Sequence, residues 1–206
     1  MADISTKSTR RPRTPKQSER ADRILGAARR AFAENSFHEV LMDDVAREAG
    51  VGKGTIYRYF PDKESLYFAV IFGGIEGLQQ RIRSSLTAEG DIEARIRTLV
   101  EAYLSFFSQN RFFFRLMNIE DSKVGGEGRP NRQRWGQERS KLIDAVVEVL
   151  EKGCQAGELQ IRHPRTDAQI LLGMVRGMLR HNQDRLTTCQ MADEIARIYC
   201  RGTCRG

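Results

Sequence analysis

The sequence predicts an all-α protein built from two helical parts. Apolar residues recur three and four positions apart along most of the chain, as on one face of an α-helix. No segment alternates apolar and polar residues with the period of two that is typical of strands. Gly, Pro and Asn punctuation separates short helices near the N-terminus from longer ones beyond residue 63. We therefore expect a small N-terminal helical domain followed by a larger one.

The composition is that of an ordinary globular protein. The chain has 206 residues, of which 40% are hydrophobic and 30% are charged. No apolar run reaches the roughly 18 residues that a membrane-spanning helix needs. The N-terminal segment lacks the apolar core of a secretory signal. We expect a cytoplasmic protein with no membrane partner.

Basic residues are concentrated towards the N-terminus. The net charge is +7, and residues 1–63 carry 13 Lys and Arg against 9 Asp and Glu. The densest basic stretch is RRPRTPK at 10–16. Residues 1–17 show no apolar periodicity, which predicts a flexible basic arm. This balance suits a polyanionic partner, although many basic faces are merely solvated.

Three helices are expected in the N-terminal part. The first runs from Ser18 to Asn35, a residue that tolerates the left-handed cap conformation. Two short helices follow at about 42–49 and 53–60, joined through Gly50-Val51-Gly52. This length and spacing fit a helix-turn-helix.

The rest of the chain is predicted to be helical as well. Pro61 ends the third helix, and Asp62 can cap the fourth. A bend is plausible at Gly73-Gly74. The clearest loop is SKVGGEGRPN at 122–131, which we expect to be mobile. The later helices are expected at 63–86, 92–109, 112–120, 132–158, 165–186 and 191–202.

The third helix has an unusual division of side chains. Ile56 and Phe60 are four residues apart and are expected to face the core. Two tyrosines and an arginine then remain on the exposed side of a short helix. Such side chains can reach phosphates and base edges, and the small glycines leave room for a sugar-phosphate strand. The alternative is a generic helical hairpin whose tyrosines cover the edge of the core.

A longer stretch around this motif resembles a known family. Residues 24–71 contain A-x-x-x-F-x-x-x-x-F, D-V-A-x-x-A-G-V-x-K-G-T-I-Y-x-Y-F and D-K-E-S-L, and they resemble the N-terminal domain of TetR/AcrR transcriptional repressors. The resemblance implies a dimeric, sequence-specific DNA-binding repressor that a small-molecule effector releases from an inverted-repeat operator. It also implies a DNA-binding domain at 18–78 with its helix-turn-helix at 41–60, and an effector-binding and dimerisation domain at 79–206.

The same resemblance assigns DNA contacts. Leu41 departs from the pattern, because the family usually has Thr or Ser there, capping the second helix and touching phosphate. That contact is expected to be lost, and Asp43 and Asp44 must help the helix to start through its dipole. The basic arm could lie in the flanking minor groove or remain solvated. The expected DNA contacts are Lys53, Gly54, Thr55, Tyr57, Arg58, Tyr59 and Lys63.

Apolar stripes on the last two helices suggest a second copy of the chain. Gly173 and Gly177 would each cost about 1 kcal/mol relative to Ala within a helix, which implies close helix approach. In the resembled family the last two helices pair with their symmetry mates. The alternative is that the stripes belong to the core of one chain. The expected interface residues are Leu171, Met174, Met178, Ile195 and Tyr199.

The middle helices are rich in aromatic side chains. So many large side chains can be plain core, or they can line an apolar effector cavity. The resemblance places an effector between the fourth and seventh helices. An apolar or aromatic small molecule would suit the candidate pocket residues, which are Tyr103, Phe107, Phe114, Met117 and Trp135.

Enzymatic and metal chemistry find no support in the sequence. It shows no nucleophile elbow, P-loop, dinucleotide fingerprint or HExxH motif. Cys200 and Cys204 are four apart, but no CxxC or matching His pair accompanies them, so we expect no metal site and no cofactor. A DNA-binding architectural protein without sequence specificity remains the second rival to a regulator.

Overall fold

The computed structural model describes residues 15–85, 89–122, 130–182 and 185–203. These residues form nine α-helices, and the predicted all-α class is confirmed. The predicted arm, apart from its last three residues, lies outside the described ranges, as do Cys204 and most of the 122–131 loop. The helices are α1 Pro15–Glu34, α2 Met42–Glu48, α3 Lys53–Tyr59, α4 Lys63–Ser85, α5 Ile92–Gln109, α6 Arg111–Ser122, α7 Pro130–Gln155, α8 Pro164–His181 and α9 Thr188–Thr203.

Several helix boundaries differ from the prediction by up to five residues, and two of these differences have a local reason. Helix α1 begins at Pro15 rather than Ser18, because proline is well suited to the first helical position. Helix α8 ends at His181, five residues before the predicted end at 186. There the Asn182 side chain accepts a hydrogen bond from the Leu186 backbone N–H (2.9 Å) and donates one to the Leu186 carbonyl (2.8 Å). This side-chain bridge replaces the next helical turn.

The chain divides into two compact units between Val70 and Ile71, within α4. This division falls eight residues before the boundary expected after residue 78. Helix α4 itself continues through Gly73 and Gly74. Its start is capped as predicted, since Asp62 Oδ1 accepts a hydrogen bond from the Ser65 backbone N–H (2.6 Å).

In the N-terminal unit, α2 packs against α1 and α3. The predicted core residues are buried together, so one face of each short helix is fixed by apolar contact. These residues are Ile24, Ala28, Phe32, Val45, Ala46, Ile56 and Phe60.

In the C-terminal unit, α9 packs along α5, and α8 packs along α7. Asp91 caps α5 by accepting a hydrogen bond from the Ala94 backbone N–H (2.9 Å). The interior is dominated by aliphatic side chains and by phenylalanines of α5 and α6. None of the helices in the described part of the chain is both long and apolar enough to cross a bilayer.

Candidate nucleic-acid interface

The start of α2 has no side-chain cap. Leu41 occupies the N-cap position with extended backbone (φ −103°, ψ 134°) and makes no capping hydrogen bond. Asp43 and Asp44 lie in the first turn, where their charge interacts favourably with the helix dipole. The Leu41 side chain is 58% exposed. An apolar side chain therefore lies at the surface in a position where a hydroxyl could accept a hydrogen bond from a backbone N–H of the first turn.

The turn between α2 and α3 depends on glycine. Gly50 has a left-handed φ of +63°, which a residue with a Cβ rarely adopts. The Val51 N–H then donates to the Ala46 carbonyl (2.9 Å). Gly52 is the N-cap of α3, and its carbonyl accepts the N–H groups of Thr55 and Ile56. The two helices are thus joined by a hydrogen-bonded turn.

The inner side of helix α3 is held by apolar contacts. Ile56 is fully buried and Phe60 nearly so, as the sequence predicted. A Cβ built on Gly52 or Gly54 would find no atom within 4 Å, so the front of the helix is open. Tyr57 is 40% exposed. This arrangement leaves a surface free to meet a partner.

The six predicted contact residues of α3 share this outer surface to different degrees. Thr55 and Tyr59 are half-buried, and the Tyr59 hydroxyl oxygen itself is buried. The Arg58 guanidinium lies 5.7 Å from the centre of the Tyr59 ring. The residues that are exposed are Lys53, Gly54, Tyr57 and Arg58.

Lys53 has an acidic partner that sequence reasoning missed. Its Nζ lies 2.7 Å from Asp43 Oδ2 on α2. The hydrogen bond to Asp43 raises the pKa of Lys53, so the amine stays protonated. Both side chains are more than half exposed, and an ion pair of this kind contributes little to stability. The ten-residue separation gave no helical-spacing signal that could have revealed it.

Lys63 is tied to the α1–α2 connection. Its Nζ donates to the carbonyls of His38 (3.0 Å) and Val40 (2.9 Å), and it lies 4.9 Å from the centre of the Phe37 ring. A lysine ammonium has three N–H donors. Two are occupied within the chain, which fixes the position of the charge.

Two of the five predicted pocket residues line a cavity formed by described residues. Phe107 and Phe114 line a cavity of about 550 Å³ in the C-terminal unit. Tyr103, Met117 and Trp135 are buried in the core and do not line it. The Tyr103 ring centroid lies 4.9 Å from that of Phe107, and the pocket role of Tyr103, Met117 and Trp135 stays a prediction.

Tyr103 belongs to a polar cluster that joins four helices. Its hydroxyl is hydrogen-bonded to Arg176 of α8, and Arg176 pairs with Asp121 of α6 at 2.8 Å. Asp121 also pairs with Arg139 of α7 at 2.8 Å. Burial raises the pKa of Tyr103, so its hydroxyl stays protonated. The ion pairs of Asp121 with Arg139 and Arg176 link α6 to α7 and α8.

Three of the five predicted interface residues need a different assignment. Leu171, Ile195 and Tyr199 are buried within the chain itself and have almost no surface left for a second copy. Met174 and Met178 are half-buried. The apolar stripe of α8 packs against α7, and that of α9 packs against α5. An apolar stripe predicts that a helix face is buried, but it does not predict which helix covers that face.

Other residues of the same helices are exposed instead. Ile170 on α8 and Ile198 on α9 are 53% and 48% exposed. A Cβ at Gly173 or Gly177 would find no atom within 4 Å. The close approach predicted at these glycines is therefore not made within the described chain. Across the described ranges, no three His, Cys, Asp or Glu side chains are grouped so that they could hold a metal ion.

Two family descriptions match the chain. Residues 24–70 match "Bacterial regulatory proteins, tetR family", and residues 89–203 match "Tetracyclin repressor-like, C-terminal domain". The first covers α2 and α3 with most of α1 and the start of α4. The second covers α5 to α9. The two matches together span both compact units.

Individual proteins are similar over different lengths. The chain is 32% identical over 105 residues to the HTH-type transcriptional activator FasR of Mycolicibacterium smegmatis, a match that spans 51% of this chain and 48% of that protein. It is 26% identical over 162 residues to the HTH-type transcriptional regulator UidR of Escherichia coli K12, covering 76% and 78%. In fold it is similar to the transcriptional regulator FadR from Bacillus subtilis in complex with stearoyl-CoA, with a TM-score of 0.76, 19% identity and coverage of 88% and 98%.

Proposed function

Because the chain belongs to the TetR family of DNA-binding transcriptional regulators, we propose that it acts as a dimer on an inverted-repeat operator and is released by a small-molecule effector. It is a regulator and not an enzyme. We expect it to act in the cytoplasm, where the DNA of a bacterial operator lies. The observation that carries the proposal is the outer surface of α3, which is exposed while Ile56 holds the helix from within.

The chemistry of that surface suits the major groove of DNA. Arg58 can donate two hydrogen bonds to one guanine, which is the commonest specific contact in protein–DNA complexes. Tyr57 can pack its ring on a sugar or a thymine methyl group. Gly54 has open space in front of it, so a sugar-phosphate strand can approach the backbone. Thr55 and the ring of Tyr59 extend the same surface.

Two lysines are proposed to contact phosphates. Lys63 is held by two carbonyls and retains one N–H that can donate to a phosphate oxygen. Lys53 is paired with Asp43 in the free protein, so a phosphate would have to compete with that carboxylate. Each phosphate contact makes the slope of log affinity against log salt more negative by about 0.9.

A second copy of the chain is proposed to pack on α8 and α9. One recognition helix reads only a few base pairs, whereas a dimer reads two half-sites about one helical turn apart. Ile170 and Ile198 offer exposed apolar area, and Gly173 permits close backbone approach. The half-buried Met174 adds to this surface and keeps its predicted role.

The effector is proposed to act through the C-terminal unit. Effector and operator must favour different states of the dimer, and by linkage each then weakens the other. Helix α4 is the proposed connection, since it begins at Lys63 and continues into the C-terminal unit. We propose that the bound dimer represses transcription. Activation is the alternative, because FasR is named an activator.

A gel-shift experiment tests the proposal. The full chain is titrated against DNA from upstream of its own gene and against random DNA of equal length, over a series of salt concentrations. We expect tight binding to a short inverted repeat, about a thousandfold or more above random DNA. Equal and equally salt-sensitive binding to both would instead identify a non-specific architectural protein.

A further inference from the structure

The cavity that Phe107 and Phe114 line has two chemically distinct sides. It lies at the C-terminal end of α5, the start of α6, the end of α8 and the start of α9, and its volume is about 550 Å³. That volume is within the range of small-molecule sites. Its apolar side consists of side chains contributed by all four of these helices, namely Phe107, Phe114, Met178 and Met191.

The other side of this cavity is basic. Arg111, Arg180 and Arg185 line it, and none of the described lining residues is acidic. All three arginines are exposed, and among the described residues none of them forms an ion pair with an Asp or Glu. Arg180 donates to the neutral side chain of Asn118 (3.2 Å). Three arginines therefore line one cavity whose described lining residues include no carboxylate.

Arg185 is held in an unfavourable backbone conformation. Its φ is +52°, the one left-handed value among the described residues other than glycine. The Arg185 N–H donates to the Asn182 carbonyl (3.4 Å), and the Asn182 side chain is hydrogen-bonded to the Leu186 backbone. Strain of this kind persists where the surroundings impose it, and it concentrates at binding sites. The residue with this backbone conformation, Arg185, lines the cavity.

We propose that this cavity is the effector site and that the effector is an amphipathic anion. Its apolar chain packs on the phenylalanines and methionines, and its anionic end binds the arginines through charge-assisted hydrogen bonds. A carboxylate and a phosphate share this chemistry. The inference rests on the proposed effector-responsive function, and it replaces the expectation of a purely apolar or aromatic effector.

Direct titration without DNA tests the ligand class. Calorimetry with the full chain compares decanoate, decanol and decyltrimethylammonium, which share one chain length but differ in charge, together with acetate, which has the charge without the chain. We expect decanoate to bind at least about tenfold more tightly than decanol, because one hydrogen bond to a charged group changes the binding constant by about tenfold or more. Decyltrimethylammonium and acetate should bind more weakly still. Decanoyl-CoA distinguishes a phosphate-bearing ligand from a free carboxylate.

Matched variants locate the site. Arg185→Gln and Arg111→Gln should each weaken binding of the tighter anion by about tenfold. Arg162→Gln makes the same charge change at an exposed position outside the cavity, and it should leave binding unchanged. The proposal would be overturned if decanoate, decanol and decyltrimethylammonium bound equally well, or if all three variants lost the same affinity. It would also be overturned if neither decanoate nor decanoyl-CoA bound.

The same preparations separate this inference from the proposed function. Decanoate binding that depends on Arg185 but leaves operator affinity unchanged would support the site and contradict effector release. Specific operator binding without any anion binding would contradict the site alone. Failure of operator binding, measured by gel shift in the absence of ligand, would contradict only the proposed regulator.

Discussion

Gly74 on α4 and Phe113 on α6 pack so closely that a Cβ at Gly74 would lie 2.0 Å from Cε2 of the Phe113 ring. Phe113 is itself buried and stacks against Phe107 at a centroid distance of 6.4 Å. The ring therefore has little room to withdraw. The contact joins α4, the proposed connection to the DNA-binding unit, to the helix pair that borders the proposed effector cavity.

The first prediction concerns this contact. Gly74→Ala should lower the free energy of unfolding by about 1–3 kcal/mol, because the added methyl group forces the ring or the helix to move. Gly73→Ala is the matched control on the same helix. A Cβ there meets no atom within 4 Å, so it should stabilise by about 0.5–1 kcal/mol. Denaturant unfolding measures both, and similar effects at the two positions would contradict the packing argument.

A second prediction addresses the recognition surface. Tyr57→Ala and Arg58→Ala should each weaken operator binding by about tenfold or more, since each removes a direct contact with the groove. Folding should be unaffected, because both side chains are exposed. Arg162→Ala removes the same charge from the C-terminal unit and serves as the control. Gel shifts and circular dichroism provide the measurements, and unchanged operator affinity in both α3 variants would remove α3 from the interface.

A third prediction concerns the uncapped start of α2. Leu41→Thr places a hydroxyl at an N-cap position that already has the extended backbone of a capping residue. The free energy of unfolding should rise by about 1 kcal/mol, and operator affinity should rise if the hydroxyl also reaches a phosphate.

Leu41→Val is the control for that effect. Valine has nearly the shape of threonine but cannot accept the helix N–H groups, so neither quantity should increase. Thermal unfolding and gel shifts on the two variants give the comparison. A loss of stability in Leu41→Thr would show that Leu41 packs against something despite its 58% exposure.

A fourth prediction tests the surface proposed for dimerisation. Ile198→Arg should convert the dimer to monomer, because it places a charge in an apolar interface. Ile119→Arg on α6 is the control, since Ile119 is similarly exposed at 41% but lies outside the proposed interface. Sedimentation velocity measures the mass of each. Monomer in both variants, or dimer in both, would argue against the assigned surface.

The N-terminal unit was largely predictable because its signals are local. The spacing of Ile56 and Phe60 identified the buried side of α3, and Gly50 identified the end of α2. Asp62 was predicted as the cap of α4 from its position directly after Pro61. The bonds of Lys63 to two carbonyls more than twenty residues away were not predictable, since backbone acceptors leave no trace in the identity of side chains.

The C-terminal unit was predictable in class but not in pairing. Its helices were expected, yet the stripe that contains Leu171 and Ile195 packs inside the chain, while Ile170 and Ile198 remain exposed. Periodicity gives the direction of an apolar face to within a residue or two, and neighbouring positions on a helix can point to different partners. Arg111 is more than 60 residues away in sequence from Arg180 and Arg185, and the three line one cavity only in the fold.

The sequence by itself determined where the helices lie to within a few residues, the Asp62 cap of α4 and the buried side of α3, because these depend on contacts between residues a few positions apart. Only the tertiary structure decided which apolar stripes of α8 and α9 are buried within the chain. It also decided that Lys53 and Lys63 already have partners in the free protein and that three arginines line one cavity. Those outcomes depend on groups that the fold brings together across long separations, where the composition of a segment carries no information about its neighbours in space.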